Sequence, residues 1–474
     1  MRRSSLACSM LVLSACFNPE DPPSTGGTDA STGDETPTSD PTAPTDPTAP
    51  TDPTETDPTA TDPTDTDPTD TDPTDTDPTD TDPTDTEADS TDTDPTGVPA
   101  ACADGNADPG ELCLGEVTVF NVGIGAFDIA IANFGGAGLD IATLNRAGST
   151  VSILSNDGVG GFGNADSHTV GDGSCRLKAV DGDGDDDIDI VISGDPIVTL
   201  NNDGAGDFDR VNAPFGAGGF GGCNPEHDLD VLNNGGGPID IVFSGEYNNN
   251  FVAGISNASG WTFADNAIAV NNAGEGSAGV TVTELGYDVD DDPDVIQLNK
   301  YSTTGTIFRG NGNGGFVQDS TFSSCEDVGD PKDYIGSRWA SAGDLDGDGQ
   351  TDIITTCLLG SQEPASGFSM VFGAANGTFS AETVVAFDGA YRVVLPDIDL
   401  DGDLDMIVAS STANGVGIFL NDGTGVFAEP TVLDVGAPAY NVAVDDLNGD
   451  GALDIAIPHD TGQGGRVAVF FADP

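Results

Sequence analysis

The chain has 474 residues, enough for one large domain or for two to three ordinary ones. Its 82 acidic and 12 basic residues give a formal net charge of −70. This balance excludes nucleic acid as an electrostatic partner, because phosphate binding requires a basic surface. The 65 glycines and the aromatic content of 6% disfavour long helices and favour many tight turns.

The N-terminus predicts export. Arg2 and Arg3 precede an apolar run, too short to cross a bilayer, that ends in Leu-Ser-Ala-Cys16. This tetrapeptide resembles the lipobox of bacterial lipoproteins, which implies that residues 1–16 are a signal peptide and that Cys16 carries the lipid anchor. The residue after Cys16 is Phe17; in bacterial lipoproteins an Asp at this position favours retention in the inner membrane. The resemblance therefore implies anchoring to the cell envelope, at the outer membrane or cell surface.

Residues 17–100 consist largely of Thr, Asp and Pro, with 24 acidic residues and no Lys or Arg. The segment has almost no apolar side chains to bury, so it cannot offset the entropy lost on ordering. The sequence therefore predicts a disordered acidic stalk. Its 84 residues would reach between roughly 50 Å as a flexible coil and about 260 Å as extended polyproline.

Cysteine usage also indicates an exported protein. Once the signal peptide is removed and Cys16 is acylated, six of the eight cysteines remain, and an even count favours disulfides. Residues 101–116 form a small segment that contains two of them and is similar to a short cysteine repeat of bacterial surface proteins. The predicted pairs, with other pairings left open for the last two, are Cys102–Cys113, Cys175–Cys223 and Cys325–Cys357.

Residues 117–474 contain a seven-fold repeat. An Asp followed by an apolar residue recurs at intervals of 49 to 58 residues, and most copies continue into an apolar run and a turn that ends in Phe. Short apolar runs separated by Asn-Gly and Asp-Gly turns are typical of antiparallel hairpins. Units of about 50 residues match four-stranded blades, so the sequence predicts an all-β, seven-bladed β-propeller. The recurring residues are Asp140, Asp189, Asp240, Asp294, Asp352, Asp405 and Asp454.

The two ends of this region indicate how the ring closes. Residues 117–123 read like residues 430–436, which directly precede the last unit, and the last unit stops without a terminal strand. The N-terminal segment is therefore predicted to supply the missing outer strand of the last blade. Closure would remove two exposed sheet edges.

The units resemble FG-GAP (VCBS-type) repeats, which form the seven-bladed propeller at the head of integrin α chains. Gly436-Ala437-Pro438, ahead of Asp446, reproduces the GAP triplet. The resemblance covers about three quarters of the chain and implies calcium-binding loops.

Four units open with the ladder Asp-x-Asp/Asn-x-Asp-x-x-x-Asp. Alternating oxygen ligands around a turn suit a hard cation, and calcium is favoured over magnesium because many protein oxygens in a flexible loop suit the larger ion. The resemblance adds a backbone carbonyl from the residue two before the last Asp. The sequence predicts four bound calcium ions, and a fifth if a shorter and weaker loop also binds. The predicted ligands are Asp181, Asp183, Asp185, Asp187 and Asp189; Asp344, Asp346, Asp348, Gln350 and Asp352; Asp397, Asp399, Asp401, Asp403 and Asp405; Asp446, Asn448, Asp450, Ala452 and Asp454; and, in the weaker loop, Asp288, Asp290, Asp292 and Asp294.

The sequence contains neither His-Glu-x-x-His nor Gly-x-Ser-x-Gly, and no other catalytic motif was found. We therefore predict a monomeric, non-enzymatic head that binds or adheres to an extracellular protein or glycan. One alternative is an extracellular hydrolase or lyase, since the fold carries such activities in other families. Another is a sugar-binding head, for which Trp261 and Trp339 are the only tryptophans available for stacking.

Overall fold

A computed structural model of the chain describes residues 110–194, 197–213, 228–232, 240–245, 250–257, 260–269, 277–287, 292–299, 302–311, 315–325, 336–358 and 367–473. The predicted signal peptide, Cys16 and the stalk lie outside these residues. None of the described residues forms a helix with the length and apolar character needed to cross a membrane.

Every regular element of the described residues is a β-strand. In chain order the strands are β1 (Thr118–Asn121), β2 (Ala126–Ala132), β3 (Asp140–Asn145), β4 (Thr150–Leu154), β5 (Asp166–Thr169), β6 (Leu177–Val180), β7 (Asp189–Ile192), β8 (Ile197–Asn202), β9 (Phe208–Ala213), β10 (Leu229–Leu232), β11 (Asp240–Gly245), β12 (Asn250–Asn257), β13 (Gly260–Ala269), β14 (Ser277–Thr283), β15 (Asp294–Asn299), β16 (Thr304–Gly310), β17 (Phe316–Ser323), β18 (Gly336–Gly343), β19 (Asp352–Leu358), β20 (Gly367–Val371), β21 (Thr383–Ala386), β22 (Ala390–Val394), β23 (Met406–Ser410), β24 (Gly415–Phe419), β25 (Thr431–Asp434), β26 (Ala443–Asp445), β27 (Asp454–Asp460) and β28 (Gly465–Phe470).

The described strands form seven four-stranded antiparallel sheets. Sheets 1 to 6 each take four consecutive strands, from β2–β5 for sheet 1 to β22–β25 for sheet 6. Sheet 7 has the order β1-β28-β27-β26, so the N-terminal strand supplies its outer edge. Val119 pairs with Ala468 in this register. The all-β propeller architecture predicted from the repeat is confirmed, and the closing strand lies where the sequence places it.

Apolar side chains fill the spaces between successive sheets. The second strand of a sheet is buried on both faces, as with Ile190 and Ile192 towards sheet 1 and Val191 towards sheet 3. This two-sided burial explains the continuous apolar runs in the sequence. A further cluster joins Ile141 of sheet 1 to Val467 of sheet 7, so the packing continues around a closed ring.

The first strands of neighbouring sheets contact one another in turn from β2 to β22, and β26 contacts β2. These strands therefore surround the axis of the ring. Each runs in the same sense, so the loops that connect first to second strands all lie on one face. That face carries every ladder loop.

The predicted disulfide Cys325–Cys357 is present and joins the end of β17 to β19, that is, sheet 4 to sheet 5. Cys113 and Cys175 are each disulfide-bonded. Their predicted partners, Cys102 and Cys223, lie outside the described residues.

The chain joins the ring beside its C-terminus. Leu114 forms a β-bridge with Ala472, and the Asp473 amide donates to the Cys113 carbonyl at 3.0 Å. The Gly110 amide donates to the Asp399 carbonyl at 3.1 Å. The residues just before β1 are thus held against sheet 7 and against one ladder loop.

Candidate metal loops and central channel

In six of the seven repeats the recurring Asp is a buried clasp whose side chain the structure describes. In sheet 2, Asp189 accepts hydrogen bonds from the Gly182 amide at 3.0 Å and the Asn202 amide at 2.8 Å. It thereby ties the loop after the first strand to the end of the third. The same paired bonds occur on Asp140, Asp294, Asp352, Asp405 and Asp454.

Burial perturbs these clasp aspartates. Loss of solvation raises the pKa of Asp189, Asp352 and Asp454 to about 6 and that of Asp405 to about 7, although the backbone amides favour the charged form. Neighbouring ladder carboxylates add to the rise. A bound cation would oppose both effects, because it favours ionised carboxylates.

The four ladder loops (181–189, 344–352, 397–405 and 446–454) share one backbone hydrogen-bond pattern. In each, the first ladder Asp accepts from the amide five residues later, as in Gly349 to Asp344 at 2.9 Å. The third ladder residue accepts from the amide two residues later, as in Gln350 to Asp348 at 2.8 Å. The repeated sequence pattern therefore corresponds to a repeated local structure.

Each ladder loop makes two left-handed turns. The sixth position is left-handed in all four, at Asp186, Gly349, Gly402 and Gly451. The fourth position is left-handed as well, and there Leu400 has φ +58°. Glycine takes this conformation freely, whereas a bulky side chain pays a steric cost. Sequence reasoning found the glycines of the sixth position and missed both non-glycine residues.

Three ladder loops bring three carboxylates close enough to share an ion. Their ligand oxygens lie within 4.8 Å of one another in each group. The groups are Asp181, Asp183 and Asp189; Asp344, Asp346 and Asp348; and Asp397, Asp399 and Asp405.

Unsatisfied oxygens test whether these loops fit a cation. Asp183 Oδ1, Gln350 Oε1 and Asp397 Oδ1 are buried and have no hydrogen-bond partner among the described residues. Buried oxygens without donors are costly unless a ligand compensates them. Burial also raises the pKa of Asp399 to about 6, and the next-largest cause is the adjacent Asp401 carboxylate. The donor set therefore fits a hard divalent cation.

The fourth ladder loop differs in one position. Asn448 replaces the second acid, and its amide donates to Asp450 Oδ2 at 2.7 Å. Asp446 accepts the Gly451 amide, as the first ladder Asp accepts the equivalent amide in the other three loops. Of the fifth predicted site, Asp288 and Asp290 lie outside the described residues, Asp294 is a clasp, and Asp292 is half-buried beside it.

The outer turns contain a second tie that sequence reasoning read only as hairpin geometry. The Asn421 side-chain amide donates to the Leu404 carbonyl at 3.0 Å and to the Leu345 carbonyl of sheet 5 at 2.8 Å. Asn202 and Asn156 make the same inter-sheet bonds in sheets 2 and 1. Leu345 immediately follows the first ladder Asp of its loop, so the ladder loops adjoin the contacts between sheets.

The axis of the ring contains an aromatic and arginine cluster. Phe127, Trp339, Tyr391 and Tyr440 pack together, and the Arg176 guanidinium lies 4.2 Å from the Trp339 ring centroid. Trp339 is only 2% exposed. It is therefore part of the axial packing and is not available for stacking a surface sugar; the side chain of Trp261 lies outside the described residues.

A cavity of about 320 Å³ lies on the axis next to this cluster. Residues of five first strands line it. Its polar lining side chains are Lys178, Asp230, Thr281, Ser341 and Arg392.

Residues 397–457 match the family model of the FG-GAP-like repeat. This segment is similar to the FG-GAP-like repeat. It includes two complete ladder loops, 397–405 and 446–454. No curated protein shows significant similarity to the chain.

Solved structures with propeller folds align with the chain. BBS1N, solved in complex with ARL6DN, aligns with a TM-score of 0.50 and 11% identity over 76% of this chain and 97% of BBS1N. An Agrocybe aegerita lectin specific for non-reducing terminal N-acetylglucosamine aligns with a TM-score of 0.47 and 18% identity over 68% of this chain and 91% of the lectin. The periplasmic gluconolactonase of Pseudomonas aeruginosa aligns with a TM-score of 0.46 and 13% identity over 63% of this chain and 83% of the gluconolactonase. At such identities the likeness concerns fold alone.

Proposed function

We propose that the chain is an envelope-anchored FG-GAP-repeat propeller that binds calcium in its ladder loops and serves as a binding or adhesion module for an extracellular protein or glycan. The observation that carries the calcium assignment is the hydrogen-bond pattern shared by four loops, three of which gather carboxylates within 4.8 Å. The FG-GAP-like match at residues 397–457 supports it independently.

In this proposal the cations act on structure. The ladder residues of each loop would hold one ion, and the ion would supply positive charge between carboxylates that otherwise repel one another. The loop is held through its clasp to the third strand and adjoins the contacts made by Asn421. Fixing the loops would therefore stiffen the face on which they lie.

Binding is favoured over catalysis for the propeller because the acidic clusters are accounted for by metal. The lipobox-like Leu-Ser-Ala-Cys16 and the stalk support a head held away from the envelope. Loops at one face of the ring would provide the contact surface, as is usual where rigid scaffolds present loops.

Calcium stoichiometry tests the metal assignment. Native mass spectrometry of the full chain is expected to show four or five bound ions. Replacing both Asp344 and Asp346 with Asn should remove one ion, whereas the same change at Asp157, in an exposed turn outside the ladders, should remove none. Absence of bound calcium in the unmodified chain would refute the assignment.

The binding role needs a separate assay. Beads coated with the full chain, applied to glycan and extracellular-matrix protein arrays, are expected to be retained in calcium and released by chelator. Retention that does not depend on calcium would contradict the part of the proposal that links the loops to binding. Absence of retention on every array in calcium would contradict the adhesion role itself.

A further inference from the structure

Basic residues are concentrated at the axis of this acidic chain. Only ten of its Lys and Arg lie after residue 100. Five of them surround the axis: four place guanidinium groups over the rings of the axial cluster, and the fifth, together with one of those four, lines the adjacent cavity. These residues are Arg146, Arg176, Lys178, Arg338 and Arg392. The whole chain has a net charge of −70. The axis is therefore the place where an anion meets concentrated positive charge.

Two of these cations line the cavity. The Lys178 ammonium lies 3.0 Å from Asp230 Oδ1, and its side chain is 37% exposed. An ammonium has three N–H donors, so this contact leaves donors for a ligand. Arg392 donates through Nη2 to the buried Asp228, and its side chain is 15% exposed. Asp230 raises the pKa of Lys178, which keeps the ammonium charged.

Two hydroxyl side chains of the cavity lining offer acceptors. The Thr281 hydroxyl donates to the Ala340 carbonyl at 2.8 Å, and the Ser341 hydroxyl donates to the Val393 carbonyl at 2.6 Å. Because each hydroxyl has committed its proton, each presents lone pairs to the cavity. The rest of the lining is apolar and includes Leu229, Val280 and Leu395.

We propose that the central cavity binds a carboxylated sugar, a uronic acid residue. The carboxylate would meet the Lys178 ammonium, with the Arg392 guanidinium charge beside it, and the ring hydroxyls would donate to Ser341 and Thr281. A volume of about 320 Å³ lies at the lower end of the range for small-molecule sites, which suits one sugar residue. An acidic peptide side chain would satisfy the cations and leave the hydroxyl acceptors unused. This inference rests on the proposed binding function and names its ligand class.

Calorimetric titration of the full chain in calcium, with D-glucuronate, D-glucose and N-acetylglutamate as probes, tests the site. Glucuronate is expected to bind, with glucose and N-acetylglutamate each at least tenfold weaker. Failure of glucuronate to bind would overturn the proposal. Equal binding of N-acetylglutamate would overturn the sugar assignment and indicate a site for carboxylates in general.

Variants locate the binding. Lys178→Met is expected to weaken glucuronate at least tenfold, and Ser341→Ala about threefold, because each removes one partner of the ligand. Arg309→Met, which removes a cation on β16 that pairs with Asp319, is the matched control and should leave the affinity unchanged. Equal losses in Lys178→Met and Arg309→Met would overturn the location. If Lys178→Met does not fold, the affinity of the unmodified chain for glucuronate is compared with its affinity for the neutral amide glucuronamide. Equal binding of the two would overturn the role of the cations.

The two proposals fail separately. Four bound calcium ions and calcium-dependent retention on arrays, without glucuronate binding, would leave the proposed function standing and remove the axial site. Glucuronate binding in a chain that binds no calcium would keep the axial site and refute the calcium assignment of the ladder loops.

Discussion

The loop of sheet 1 and the ladder loops solve the same structural problem with different chemistry. In sheet 1 the loop between β2 and β3 contains no acid, yet Asp140 still accepts the Phe134 and Asn156 amides at 2.9 and 2.8 Å. Phe134 occupies the buried place that Leu345 takes in sheet 5. Asn133 caps two loop amides where the ladder loops have an Asp. The clasp is therefore independent of the ladder, and the acids add a function that the fold itself does not require.

Calcium removal should separate the two kinds of loop most strongly. At a concentration tenfold above Kd each site contributes about 1.4 kcal/mol, so four sites contribute roughly 6 kcal/mol. Hydrogen exchange of the full chain is expected to accelerate about tenfold in the ladder loops on chelation and to stay unchanged in residues 133–139. Equal acceleration in both would show that calcium acts globally rather than loop by loop.

Removing a clasp should destabilise either kind of loop. Asp140→Ala and Asp352→Ala each leave two buried amides without acceptors, and we expect each to lower the free energy of unfolding by about 3 kcal/mol. Chemical denaturation measures this, with Asp166→Ala, at an exposed position, as the control. Asp140→Ala should retain all bound calcium and Asp352→Ala should lose one ion. Loss of calcium in Asp140→Ala would contradict the independence of clasp and ladder.

The response to pH should have opposite signs with and without calcium. The folded pKa of Asp405 is about 7, above its ordinary value of 3.8. Between these values the folded state without metal binds more protons than the unfolded state, so its stability rises as pH falls from about 7 to about 4. With calcium bound, protons compete with the ion and stability falls over the same range. Melting curves at several pH values check both slopes, and the metal-free slope should decrease in Asp405→Asn.

The smallest expected effect concerns backbone strain in one ladder loop. Leu400 is exposed and left-handed at a position where the other three ladder loops have Gly. Leu400→Gly should stabilise the chain by about 0.5 to 1 kcal/mol, because the relief of steric strain exceeds the entropy that Gly loses on folding. Val159→Gly, at an exposed turn position without a positive φ, should destabilise it slightly. A destabilised Leu400→Gly variant would show that the loop has a different conformation in solution.

The fold was predictable because its signals are local and repeated. Hairpin turns such as the one ending at Phe427, and the spacing of the recurring Asp, specify four-stranded units without knowledge of long-range contacts. The place of residues 117–123 as the outer strand of the last sheet was also predictable, since they read like residues 430–436, which contain the outer strand of sheet 6. The ladder loops followed from the same repetition.

The rest depends on contacts that repetition does not reveal. The clasp and the last ladder position are the same residue, so the sequence pattern identified Asp189 only as a metal ligand. The presence of Asp140 in a loop without a ladder was the available signal for a second role. The axial cations, such as Lys178 and Arg392, each occur once and meet only when the ring closes. The composition shows that basic residues are few. It does not show that half of those after residue 100 meet at the axis.

The closure of the ring also determines how it bears force. Any pull transmitted through the residues before Gly110 first meets the hydrogen bond from Gly110 to the Asp399 carbonyl, and then the Leu114–Ala472 bridge and the four residue pairs between β1 and β28. The seam that completes the propeller is thus the first strand pairing to be loaded. Under tension the molecule would open at this seam, beside the loop that contains Asp399, while the other six sheets keep their own pairing. The mechanical strength of the head is therefore set by the pairing of its four-residue closing strand rather than by its core.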